Sequence, residues 1–335
     1  MTTATPLLPA RRQWGIAAGF LALLIAPLAL IGIAFGGGIA LAALPGVAVG
    51  FVVTLQARSR RVGLIAVTLM SALAFVSTLA SASTAAGVIW LGLVGVAYGL
   101  SGLRGWHRLT MQMAIWCAYI VVNPLQANAA SKLSAIGPID LSLTAAAITA
   151  AATLGAGVVM AVLVDRIKGA SPARPLSPLR PAQAWTFAIA CGALLAAGAA
   201  IILDVARYPA GEWLLLTVIV LLQPDPRATL RHTLERTAGT FGGVIAAAVL
   251  ALALGDGPLT SVLALLLMVA AFAYLQMPNR YWVYVGLFTP GLVLLSAPPD
   301  QTDTLAAARL GLTIAGAIAV TGVTLLVSRF DRSHA

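Results

Sequence analysis

Residues 141–203 read LSLTAAAITAAATLGAGVVMAVLVDRIKGASPARPLSPLRPAQAWTFAIACGALLAAGAAIIL. Two apolar runs flank a basic insert punctuated by proline. Each run is long enough to cross a hydrocarbon core about 30 Å thick, which needs about 20 apolar residues per helix. The insert, residues 167–182, carries Pro172, Pro175, Pro178 and Pro181 and divides the chain almost at its midpoint. The same alternation of apolar run and short polar connection extends outward to both ends. Helices are expected at 14–34, 37–55, 62–80, 86–103, 109–124 and 141–165, then at 184–203, 210–223, 228–254, 258–276, 281–297 and 304–327.

Composition agrees. Of 335 residues, 60% are hydrophobic and 9% charged, whereas a soluble domain is roughly 45–50% apolar and about 25% charged. Twelve helices of about 20 residues leave about 95 residues for every loop and both tails, which excludes an appended ATPase, kinase or receptor domain. Cys117 and Cys191 fall inside apolar runs and read as small packing residues. The first apolar run is not closed by a small-residue cleavage pattern and reads as an uncleaved span. Arginine strongly outnumbers lysine, which is confined to Lys132 and Lys168, and the chain is rich in alanine. Together these suggest a GC-rich bacterium.

The formal net charge of +10 lies in short loops, so it sets orientation in a bilayer rather than attracting nucleic acid. Assigning the connections alternately to two sides places Arg11, Arg12, Arg58, Arg60, Arg61, Arg104, Arg108, Arg166, Lys168, Arg174, Arg180, Arg227, Arg231, Arg236, Arg280, Arg329 and Arg332 on one side. Only Lys132, Arg207 and Arg309 fall on the other. The split predicts an even number of spans with both termini cytoplasmic.

The halves also resemble one another. Gln13-Trp14 opens the first and Gln183-Ala184-Trp185 the second, Leu55-Gln56 parallels Leu222-Gln223, and Asp165-Arg166 parallels Ser328-Arg329. The expected fold is an all-α integral membrane protein of about 12 transmembrane helices arranged as two parallel six-helix repeats. The expected domains are a cytoplasmic tail 1–13, a first repeat 14–166, a Pro-rich cytoplasmic linker 167–182, a second repeat 183–328 and a tail 329–335. Parallel repeats place a pathway at their interface.

The richest motif is Glu212-Trp213-Leu214, a short apolar run to Gln223-Pro224-Asp225-Pro226-Arg227, and then Arg231-His232-Thr233-Leu234-Glu235-Arg236-Thr237-Ala238-Gly239-Thr240. A second element is Asn279-Arg280-Tyr281 followed by Phe288-Thr289-Pro290. Together they resemble the fusaric acid resistance protein-like family of inner-membrane proteins. The resemblance covers most of the second half. It implies a twelve-span bacterial exporter of aromatic carboxylic acids and related weak acids. Plant malate channels are distantly similar. Larger members of the bacterial family carry cytoplasmic domains after each six-span bundle, which this chain lacks.

Physical reasoning on the same residues is independent of the resemblance. Glu212 to Gln223 offers only about ten strongly apolar residues, too few to cross about 30 Å, and Pro224 and Pro226 stop that helix. The next helix is long enough for its first turns to protrude. Arg227, Arg231 and Glu235 share one face, with His232 and Arg236 on the adjoining one. Guanidiniums at a cytoplasmic mouth concentrate anions and offer bidentate contacts to a carboxylate. The competing reading is a solvated anchor with Arg231 and Glu235 paired. Tyr281, Tyr284 and Phe288 share a face in the eleventh span, where Pro290 frees a carbonyl that Thr289 can help satisfy. Tyr281 and Trp282 read as belt aromatics at the interface. Arg309 reads as a snorkelling side chain with Asp300 or Asp303 as partner. Gly15 and Gly19, Gly46 and Gly50, Gly95 and Gly99, and Gly239 and Gly243 read as small-residue helix contacts.

The expected substrate-binding residues are therefore Gln223, Pro224, Asp225, Arg227, Arg231, Arg236, Phe288, Thr289 and Pro290. His107, His232 and His334 lie in connections or the tail, no acid sits deep in a span, and no Walker signature is present. No enzyme constellation, metal or other cofactor is expected. The expected partners are membrane lipid and a small organic anion, with a homo-oligomer or an accessory efflux subunit left open and nucleic acid excluded. The rivals to an exporter are a passive organic-anion channel of the same fold and a non-transport envelope scaffold. A major-facilitator reading lacks its usual acidic signature, since Gln56 to Gly63 contains no acid.

Overall fold

The computed structural model describes residues 9–57, 59–123, 141–167, 177–206, 211–255, 257–275, 277, 280–296 and 302–333. Asn279, Asp300 and the linker prolines Pro172 and Pro175 lie outside them, as does the side chain of Asp303. The helices are α1 Arg11–Phe35, α2 Gly37–Ala57, α3 Arg60–Ala80, α4 Thr84–Leu100, α5 His107–Val122, α6 Leu141–Ile167, α7 Pro181–Ala200, α8 Glu212–Leu221, α9 Pro226–Leu254, α10 Pro258–Leu275, α11 Tyr281–Ser296 and α12 Thr302–Ser333. A 3-10 turn, Ser101–Arg104, extends α4, and a π turn, Ile201–Ala206, extends α7.

Each expected span has a helix at its position, because hydropathy and helix-end chemistry point the same way. Ser59 and Ser83 cap α3 and α4 by accepting from the Val62 and Ala86 amides. Proline at the first turn opens α7 and α9, where a missing N–H costs nothing. Gly105, in the left-handed region at φ 70°, closes the 3-10 turn.

Among the described residues nine helices are long and apolar enough to cross a membrane: α1 to α4, α6, α7, α9, α10 and α12. The chain is a multi-pass, all-helical membrane protein, with no strand among the described residues. The other three helices are shorter, at 16 residues for α5, 10 for α8 and 16 for α11. The ten-residue α8 spans only about 15 Å at 1.5 Å per residue, as its count of apolar residues predicts.

The chain forms two compact units, one of residues 24–224 and one of residues 1–23 with 225–335. In the first, α2 packs along α6 and α4 along α7. A Cβ at Gly46 would overlap the Thr153 carbonyl, one at Gly50 would stand 2.5 Å from the Gly157 carbonyl, and one at Gly95 would stand 2.7 Å from the Cys191 carbonyl. Only glycine lets these backbones touch. Hydroxyls bridge neighbouring helices: Thr153 donates to the Ala42 carbonyl at 2.9 Å and Ser71 to the Ala150 carbonyl at 2.8 Å. Cys117 and Cys191 are buried free thiols, as expected.

In the second unit α9 lies against α11 and α12, around Ala247, Val293 and Ala306. A Cβ at Gly239 would stand 2.5 Å from the Trp282 carbonyl, and one at Gly243 would stand 2.9 Å from the Gly286 carbonyl. Three of the four glycine pairs are thus helix contacts. Gly15 and Gly19 are not, since a Cβ at either meets nothing within 4 Å among the described residues. They lie near the start of α1, a helix with few buried side chains.

Candidate functional site: a ring column with buried arginine

The residues that end α8 and those that start α9 each make local bonds. Gln223, at the end of α8, donates its amide to the Val220 carbonyl at 3.0 Å, and the Pro224 carbonyl accepts from Gln183 of α7 at 3.0 Å. Asp225 is the N-cap of α9, its carboxylate accepting from the Arg227 amide at 3.1 Å. The helix dipole favours an acid at that position.

Along α9 the three expected arginines part company. Arg227 is exposed. Arg231 is 56% exposed and pairs with Glu235 at 2.9 Å, a surface ion pair worth little to stability. Arg236 is only 9% exposed. One of its terminal nitrogens donates to the Tyr281 hydroxyl at 3.3 Å, while its Nε is buried with no hydrogen-bond partner among the described residues.

Tyr281 opens a column of rings on α11. Its ring lies 5.8 Å from Tyr284, which stacks on Phe288 at 5.5 Å and 27°. Phe272 of α10 touches Tyr284 at 6.2 Å and Phe288 at 6.0 Å, and Phe20 of α1 lies 4.5 Å from Phe272. His232 meets Tyr281 edge-on at 5.2 Å. At the far end the Arg309 guanidinium stands 6.0 Å from the Phe288 ring centre, within cation–π range. From Tyr281 to Phe288 the column rises about 10 Å at 1.5 Å per residue. One buried arginine stands at each end.

Two expectations need correction. Arg309 does not snorkel: it is 4% exposed and turned onto Phe288. Its position on α12 puts it beside the rings rather than at the helix end. Thr289 does not satisfy the carbonyl that Pro290 frees, because its hydroxyl is buried with no partner among the described residues. Gly243 of α9 stands against that carbonyl instead, and α11 runs through Pro290 as one helix. Cα–H contacts to carbonyls are usual at such close helix crossings.

In the sequence Arg231 and Arg236 fall on adjoining faces of the same basic helix start, and Tyr281 reads as a belt residue. The signal that separates them is spacing. Arg236, Gly239 and Gly243 fall at i, i+3 and i+7, so the arginine shares the face that packs on α11.

Residues 195–323, which contain every expected site residue and the whole ring column except Phe20, match the family model described as fusaric acid resistance protein-like. This segment is similar to the fusaric acid resistance protein-like family. No curated protein and no solved structure matches the chain. The matched segment begins within α7 and takes in α8 to α11 and most of α12. It therefore holds α9 and α11, one of the helix pairs that glycine brings together.

Proposed function

We propose that the chain exports aromatic carboxylic acids or related organic anions across a bacterial inner membrane. The reading rests on one observation above the rest. Arg236 is buried beside Tyr281 with its Nε unpartnered among the described residues, at one end of a column of aromatic rings. A buried charge without a full set of partners costs several kcal/mol, about what a bound carboxylate would offset. The rings supply stacking surface for the rest of the ligand. Arg309 on Phe288 extends the positive field along the column. Arg227 collects anions at the mouth beside the Arg231–Glu235 pair, and Gln223, Pro224 and Asp225 precede it in the chain at the start of α9. Thr289 and Pro290 pack against the next turn of α9 and so bound the site beyond Phe288.

The proposal includes twelve spans in two parallel six-helix repeats with both termini cytoplasmic, so that the exposed arginines of α9 face the source of the anion. Cysteine labelling tests this. The native thiols are buried, so Ser177→Cys should resist a membrane-impermeant reagent added to intact cells, whereas Gly257→Cys should react. Labelling of Ser177→Cys from outside overturns the orientation.

The transport test is efflux of a radiolabelled benzoate-type acid from proteoliposomes holding the full chain. Arg236→Gln should raise the half-saturating concentration about 10- to 150-fold, the loss of a charged hydrogen bond worth about 1.5–3 kcal/mol. Wild-type kinetics in that variant overturn the assignment. An imposed pH gradient separates export from a passive channel, because a channel follows the anion gradient alone.

A further inference from the structure

A cavity of about 520 Å³ lies in the other unit, between the end of α2, the first half of α3 and the start of α5. It is outside the segment that matches the fusaric acid resistance protein-like family. Its long walls are two matched helix faces. Val62, Ile65, Ala66 and Leu69 of α3 stand at i, i+3, i+4 and i+7. Trp106, the residue before α5, and Leu109, Thr110 and Met113 in its first turns repeat that spacing. The trough so formed is about 10 Å long at 1.5 Å per residue. It opens sideways, for Ile65 is 68% exposed and Leu69 47% exposed.

One end is polar and basic. Gln56 and Arg108 line it, Arg104 lies 5.9 Å from the centre of the Trp106 ring, and Arg60 and Arg61 start α3 nearby in the chain. An exposed tryptophan beside arginine marks the headgroup level of a bilayer. The apolar trough then runs from that level into the hydrocarbon.

We infer that this trough is a binding site for an anionic phospholipid, with its phosphate at Arg108 and Gln56 and one acyl chain lying between α3 and α5. Charge selects the headgroup: basic pockets between helices near the membrane surface hold anionic lipids. The exposed apolar wall selects a lipid over a soluble anion, since a small acid at Arg108 would leave Ile65 and Leu69 uncovered. The leaflet concerned is the cytoplasmic one on the orientation proposed above. The site itself depends only on the chain crossing a membrane.

Thermal unfolding of the purified full chain in detergent tests the site, with dioleoyl phosphatidylglycerol, dioleoyl phosphatidylcholine, inorganic phosphate or benzoate added in turn. Phosphatidylglycerol should raise the midpoint by several degrees more than phosphatidylcholine, and phosphate and benzoate should not reproduce the rise. Arg108→Gln changes an exposed residue, so it should fold normally and erase the difference between the two lipids. Leu69→Trp, which fills the trough, should reduce the response to both. Equal shifts with the two lipids, an undiminished preference in Arg108→Gln, or the full shift from phosphate or benzoate alone each overturn the inference. None of these readouts depends on export, so the lipid site and the transport proposal fail separately.

Discussion

The pair α2–α6 in one unit and the pair α9–α11 in the other both close on glycines four residues apart, but they differ in what is left unbonded. Between α2 and α6, Gly46 and Gly50 meet backbone, and Thr153 reaches across to bond the Ala42 carbonyl. Between α9 and α11, Gly239 and Gly243 also meet backbone, yet Arg236 Nε and the Thr289 hydroxyl are buried without partners among the described residues. Small residues bring helices close in both places. Of these two contacts, among the described residues, the second keeps polar groups in reserve, and in a low-dielectric interior a ligand or water stabilises such groups. Close packing marks a scaffold. Close packing with unbonded polar groups marks a site.

Substitutions separate the two cases. The largest effect should come from Gly46→Leu, whose side chain would overlap the Thr153 backbone. Overpacking of this kind costs about 1–3 kcal/mol or more, so thermal unfolding should show a clear drop and little monodisperse protein should survive. Gly155→Ala on α6, where a Cβ meets open space, is the control and should leave the midpoint unchanged. If Gly46→Leu unfolds like wild type, the α2–α6 contact is not the scaffold it resembles.

A middling effect is expected from Tyr281→Phe, which removes the acceptor of the Arg236 hydrogen bond and keeps the ring. About 1 kcal/mol is at stake, or about fivefold in half-saturating concentration, with expression and unfolding little changed. A fall in stability without a kinetic change would make the bond structural and erase the contrast with α2–α6. The smallest effect belongs to Arg227→Gln at the exposed start of α9. It should slow export at low ionic strength and do almost nothing at high, because exposed charges are screened over about 8 Å at 0.15 M salt. Equal loss at both ionic strengths would move Arg227 from the mouth to the framework.

Much of this architecture is legible in the sequence, because the signals there are additive. Most helix starts and stops follow from hydropathy summed over many residues, so the expected 228–254 differs from Pro226–Leu254 by two residues at its start, whereas α12 runs on to Ser333, past the expected end at 327. The ring column was harder to read, because it depends on which way single side chains turn. Arg231 and Arg236 are chemically identical and five residues apart, and only the packing of α9 on α11 makes one exposed and the other buried. Arg309 misleads for the same reason. Its distance from the helix start suggests a route to water, while its neighbour Phe288 comes from a different helix. Phe20 and Phe272 lie more than 250 residues apart in the chain and give no local hint of their contact.

The cap at Asp225 also makes α9 a helix of fixed angular phase. Arg236 faces the rings because eleven residues separate it from Asp225 and three from Gly239, the second point at which the helix is locked. One residue added between Arg236 and Gly239 would rotate everything before it by about 100° and shift it by about 1.5 Å relative to the glycine contact. That turn would carry the guanidinium off the face that meets α11 and bring a neighbour round in its place. Length in this segment is therefore as much a part of the site as composition. A relative that keeps every residue of the motif but gains or loses one position there would present a different side chain to Tyr281.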